Sequence, residues 1–166
     1  MTKQFTIATL ADYPAAVPVL ARWCYDEWGR ADGFTLQHEL DRFERALCAT
    51  RANALPLVLI ALDGDAVVAC VQLKAEQVFD FPENTCWLGP LYVAAADRGN
   101  HLAEHLIDAL VHRARQYGVT QLHLQTEVLT GGLYARLGWK PMFRAINHGV
   151  DVLVMRRDLV DAFMLS

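Results

Sequence analysis

Residues 91–106, Leu-Tyr-Val-Ala-Ala-Ala-Asp-Arg-Gly-Asn-His-Leu-Ala-Glu-His-Leu, carry the densest chemical signal in the chain. They read as an apolar strand, a polar turn with one glycine, and the start of an amphipathic helix. The first N–H groups of a helix have no intrahelical partner and its dipole favours an anion there, so a turn of this kind suits a phosphate. Hydrogen bonds to charged groups contribute about 1.5–3 kcal/mol each, and micromolar binding needs about 8 kcal/mol. A few N–H groups between Arg98 and Ala103 would therefore supply most of that affinity before entropy costs. The same window holds His101-Leu102-Ala103-Glu104-His105, which fits H-x-x-E-H, the inverted zinc-hydrolase pattern. His101 and His105 would then be neighbours on one helix face, with Asp108 and His112 continuing the stripe. No third ligand stands at convincing spacing, so zinc hydrolysis remains an alternative beside a plain polar helix face.

These groups need a frame. With 166 residues the chain is long enough for one domain, 1–166, with its own core. Hydrophobic residues at 54% and charged residues at 20% place it in the soluble globular class. The longest apolar run, 55–62, is interrupted by Pro56 and is far short of a membrane span. The N-terminus, Met1-Thr-Lys-Gln-Phe5, lacks a secretion-signal pattern, which leads to the expectation of a cytoplasmic protein. A net charge of −4 and the lack of a basic stripe argue against a nucleic-acid partner. Cys24, Cys48, Cys70 and Cys86 form no C-x-x-C pair and no metal-finger spacing, and read as reduced thiols packed as small hydrophobes.

The element order reads β-αα-βββ-α-β-α-ββ. A short strand at 5–9 precedes a helix that starts near Asp12 and Pro14, shows Val17, Leu20, Ala21 and Cys24 on one face, and fades at Gly29. Thr35 with His38-Glu39 behind it reads as an N-cap with an acidic first turn, followed by the stripe Leu36, Leu40, Phe43 and Leu47. Strands at 57–62 and 66–73 flank the hairpin signal Asp63-Gly64-Asp65. A third strand, 86–93, contains Gly89-Pro90, and a proline in a central strand implies a bulge or a gap. A long helix from Leu102 to near Gly118, a strand at 119–126, a short helix at 130–137 closed by Gly138, and a hairpin of 139–146 with 150–156 complete the chain. The β-α-β segment 86–126 must be a right-handed parallel crossover. The rest is hairpins, so the fold class is mixed α/β: a mostly antiparallel sheet with one parallel pair and helices on both faces.

With Arg98-Gly99-Asn100-His101-Leu102-Ala103 set against the pattern Q/R-x-x-G-x-G/A, and Leu133-Tyr134-Ala-Arg-Leu-Gly138-Trp139 matching L/F-Y-x-x-x-G-F/W, the chain resembles the GNAT superfamily of acyl-CoA-dependent N-acetyltransferases. The resemblance covers most of the chain and is strongest from Trp87 to Leu159. It implies acetyl-CoA as co-substrate, with Arg98, Gly99, Asn100, His101, Leu102 and Ala103 around its pyrophosphate. It also implies that Leu91, Tyr92 and Val93 offer backbone groups to the pantetheine arm. His101 stands where the family has glycine. If that position needs φ > 0, histidine costs about 1–2 kcal/mol and binding survives. If the phosphate must lie where Cβ sits, binding fails.

The resemblance further makes Tyr134 the general acid that protonates the leaving thiolate, and the activity acetyl transfer to a primary amine of a small molecule or peptide. The general base is poorly marked: Glu83 is the first choice, with Asp80, Glu127, His123 and a water relay as others. Trp87 would wall the acceptor pocket, and Asp26, Glu27, Asp80 and Glu83 would attract a cationic amine. A non-catalytic ligand-binding domain of the same fold is the competing reading. Oligomeric state stays open, a homodimer included.

Overall fold

The computed structural model describes residues 4–159; the first three residues of the sequence, and the tail beyond Leu159, lie outside them. In chain order the strands and helices are β1 (Thr6–Thr9), α1 (Val17–Cys24), α2 (Leu36–Arg51), β2 (Leu57–Asp63), β3 (Ala66–Ala75), β4 (Cys86–Val93), α3 (Leu102–Gln116), β5 (Gln121–Thr126), α4 (Gly132–Arg136), β6 (Lys140–Asn147) and β7 (Val150–Asp158). This is the expected order. The strands form one sheet, β1-β2-β3-β4-β5-β7-β6. Every neighbouring pair is antiparallel except β4 and β5, which the α3 crossover makes parallel.

The sheet separates two apolar layers. Leu57, Leu59, Val71 and Leu73 point to the side where α3 brings Leu102, Leu106, Ile107 and Leu110. Val58, Ile60 and Cys70 point to the other side, against Leu20, Cys24, Phe43 and Leu47 of α1 and α2. Strand alternation with both faces covered explains why β2 reads as a continuous apolar run. Burying a large aliphatic side chain contributes about 1.5–3 kcal/mol, so each helix is held chiefly by its stripe.

Three expectations shift in detail. The first helix is not one run: two 3-10 turns (Leu10–Asp12 and Pro14–Ala16) precede α1, and a π turn, Tyr25–Gly29, follows it. The strand expected at 119 begins at Gln121, because the Val119 N–H caps α3 by donating to Ala114 O at 3.0 Å, with Gly118 at φ +79°. The helix expected from Thr130 begins at Gly132, because Gly131 and Gly132 both take positive φ. Cys24 and Cys70 are buried as expected, whereas Cys48 is exposed.

Candidate functional site

The sheet opens at β4. Val71 pairs with Leu91 and Leu73 with Leu88, so Gly89 and Pro90 together face the single residue Gln72. That two-against-one count is a bulge. On its other side β4 pairs with β5 only at Trp87 and His123, and Pro90 has no N–H to extend the ladder. The Ala94 N–H donates to Val68 O at 2.8 Å and so points at β3. Alternation then turns the amides of Leu91 and Val93 the other way, toward the gap. Arg98 Nε donates to Val93 O at 3.0 Å, leaving Leu91 N–H, Leu91 C=O and Val93 N–H facing the opening.

Below these amides lies a cavity of about 500 Å³. Leu91, Tyr92 and Val93 form one wall, and Arg98, Gly99, His101, Leu102 and Ala103 form the end where α3 begins. All the residues expected around the carrier thus meet in one place except Asn100. Its side chain instead closes the turn, donating through Nδ2 to Asp97 O at 3.1 Å. The unpaired N–H groups of the first turn of α3 face this end.

His101 sits in the left-handed region, φ 59° and ψ 20°, as the N-cap of α3. The position does need the backbone shape that glycine adopts freely. The imidazole is 74% exposed, and its Nδ1 lies 3.2 Å from Glu104 Oε1, so it does not plug the cavity. The same geometry corrects the zinc reading. His101 lies before the helix rather than on its face with His105, and no group of three His, Cys, Asp or Glu side chains among the described residues is placed to hold a metal.

Two further contributors, Arg136 and Trp28, were not singled out from the sequence, whereas Glu27 was. Arg136 lines the cavity together with Leu133, three residues before it on α4. With Arg98, whose guanidinium lies 5.6 Å from the centre of the Tyr92 ring, it puts two cations beside the helix N-terminus. Glu27 and Trp28 come from the π turn, where Arg30 N–H donates to Tyr25 O at 2.9 Å. Trp28 meets Tyr92 edge-on at 6.3 Å, and Trp23 stacks on the same ring at 5.1 Å.

Glu27, Trp28 and Leu91 also line a second cavity, of about 800 Å³. Its walls include Cys24, Glu39 and Arg42 from the α1–α2 layer, Trp87 to Leu91 of β4, Glu127 beyond β5, and Tyr134. Burial pushes the Tyr134 phenol up to about 12, and its ring meets Trp139 edge-on at 6.2 Å. The hydroxyl therefore keeps its proton at neutral pH and can donate it. Trp87 is both core and wall: it is 2% exposed and its Nε1 donates to Glu76 O at 3.1 Å.

Glu83 and Asp80 are exposed on the loop 76–85 and line neither cavity. The first part of that loop, Glu76 to Phe79, lines the second cavity, whereas the turn around Pro82, where Thr85 N–H donates to Pro82 O, lines neither. Asp26 is exposed and paired with Arg30 at 3.2 Å. His123 is buried between Phe81 and Trp87, at ring distances of 4.8 and 5.4 Å, and is also absent from both linings. Of the acids expected as base or around the amine, Glu27 and Glu127 alone line a cavity.

Residues 17–139 match the model of the acetyltransferase (GNAT) family. The chain belongs to that family. Solved acetyltransferases share its fold: aminoglycoside 6'-acetyltransferase type Ii, at 18% identity and TM-score 0.72, covering 94% of this chain and 98% of that one; an N-acetyltransferase from Staphylococcus aureus Mu50, at 16% and 0.72, covering 95% and 99%; and an aminoglycoside 6'-N-acetyltransferase complexed with coenzyme A, at 15% and 0.72, covering 94% and 98%. No curated protein matches the chain. In this GNAT acetyltransferase the expected residues Arg98, Gly99, His101, Leu102 and Ala103 line the first cavity and Tyr134 the second. No helix among its described residues is long and apolar enough to cross a membrane.

Proposed function

We propose that the protein moves the acetyl group of acetyl-CoA directly to a primary amine, with the donor in the first cavity and the acceptor in the second. The observation that carries this reading is the opening of β4: the Leu91 and Val93 amides, turned away from β3 and without a β5 partner among the described residues, stand over one cavity that is also lined by the start of α3, Arg98 and Arg136. That arrangement fits a long anionic ligand with amides in its arm. The coenzyme A held by one structural neighbour fits the same reading.

The chemistry follows from the groups in place. Acetyl-CoA supplies the acyl group as a thioester. The amine nitrogen of the acceptor forms the new C–N bond as the C–S bond breaks. An N–H of the Leu91–Val93 segment is the donor available to the carbonyl oxygen as it gains charge. Tyr134 gives its proton to the departing sulfur, and the amine loses its extra proton through water toward Glu127, which lines the acceptor cavity as Glu83 does not.

A covalent relay through the one cysteine in that lining is disfavoured. Burial pushes Cys24 up to about 12, and only a thiolate is a competent nucleophile. Release of CoA thiol in an amine panel tests the proposal. Tyr134→Phe should lower turnover by about 10²–10⁴-fold with acetyl-CoA affinity kept. Binding of acetyl-CoA without thiol release for any amine would reduce the protein to a ligand-binding domain.

A further inference from the structure

Glu39 is the most unusual side chain in the acceptor cavity. It lies in the first turn of α2, is 2% exposed, and lines the cavity beside Cys24 and Gly29. No hydrogen bond from any described residue reaches its carboxylate, and Oε2 is fully buried without one. One ion pair among the described residues reaches it: Arg42 Nε lies 3.6 Å from that Oε2, too long for a hydrogen bond, and Arg42 keeps 38% of its side chain in solvent, while Oε1 is the oxygen beside Gly29. Lys74, also in the lining, is taken by Glu76 at 2.7 Å. A carboxylate buried this way is costly unless a cation or donor completes it. Glu27, Asp32 and Glu127 line the same cavity, and no ion pair joins any of them to a cation of the described residues.

Resting on the acetyl-transfer reading, we propose that Glu39 anchors a second, non-reacting ammonium of the acceptor, so that the protein acetylates diamines or polyamines. A nitrogen held as ammonium against a buried carboxylate keeps its proton and cannot attack a thioester. Anchor and nucleophile must therefore be two nitrogens of one molecule. The cavity reaches from Glu39 in the α1–α2 layer to Tyr134 on α4, so it can hold both.

The test is calorimetric titration of diaminobutane, without acetyl-CoA, into wild type and Glu39→Gln. Affinity should fall about 10- to 100-fold in the variant, the range for losing a buried charge-assisted bond; unchanged affinity overturns the proposal. Gly29→Ala is the second variant, for the case where Glu39→Gln melts early. Its new Cβ would stand 3.0 Å from Glu39 Oε1 and push the carboxylate aside without removing it. It too should weaken diaminobutane, and full affinity there counts against the anchor. In turnover assays Glu39→Gln should raise KM for diaminobutane far more than it lowers kcat. A fall in kcat with KM kept, for diaminobutane and butylamine alike, would make Glu39 a base and overturn the anchor. Because the titration needs no donor, absent thiol release would sink acetyl transfer while leaving the anchor measurable.

Discussion

His123 shows how a residue of the right type can be kept out of a mechanism by its surroundings. It sits at the β4–β5 bridge opposite Trp87, its ring packed against Phe81 and Trp87. Burial lowers its pKa below 6.5; the backbone of Cys86 opposes that shift, Arg156 on β7 adds to it, and Asp158 opposes it. A group protonated more readily unfolded than folded makes stability rise with pH across the interval between its two pKa values. Wild-type stability should therefore decline as pH falls through 6.5 and on to the lower folded value. His123→Phe, which keeps an aromatic in the cluster, should flatten that decline in urea unfolding followed between about pH 7 and 5. Equal slopes for the two proteins would show that His123 does not resist protonation. His101 is the opposite case, since its exposed imidazole leaves the cavity free and only its backbone carries the strain of a left-handed residue, about 1–2 kcal/mol.

At the scale of elements, short segments with unusual geometry do the positioning. Five residues make up α4, and it places Leu133 and Arg136 toward the first cavity and Tyr134 toward the second. It starts from Gly131 at φ +87°, where an added Cβ would stand 2.9 Å from Ala135 Cβ and 3.0 Å from Met155 Cε. Gly131→Ala should cost about 1–3 kcal/mol of stability and, by shifting Tyr134, lower kcat more than acetyl-CoA affinity; thermal melts and steady-state kinetics would show it. An intact kcat with a lower melting point would separate helix placement from chemistry. Much of this level was legible in the sequence. The Gly89-Pro90 pair announced the broken ladder, and the 98–103 turn announced the helix start, because both rest on local backbone rules. Glu39, Trp28 and Arg136 were not legible as site residues. Their roles come from which layer faces which across the opening, and Glu39 read as an ordinary acidic first turn. Glu83, chosen for its place just before β4, lines neither cavity, because the opening lies further along the strand at Gly89-Pro90.

At the scale of the molecule, the sheet is a partition with one doorway. The α3 layer and the α1–α2 layer each pack a separate core on it, and the two cavities share only Glu27, Trp28 and Leu91. A donor and an acceptor entering from different directions would meet where β4 leaves β5. Direct transfer, as proposed, needs both partners present at that opening together. A structure of the acetyl-CoA complex tests this most directly. It should show the pyrophosphate on the N–H groups at the start of α3, between Arg98 and Arg136, and the pantetheine amides on Leu91 and Val93. A nucleotide bound elsewhere, or β4 and β5 zipped shut beyond Trp87, would contradict it.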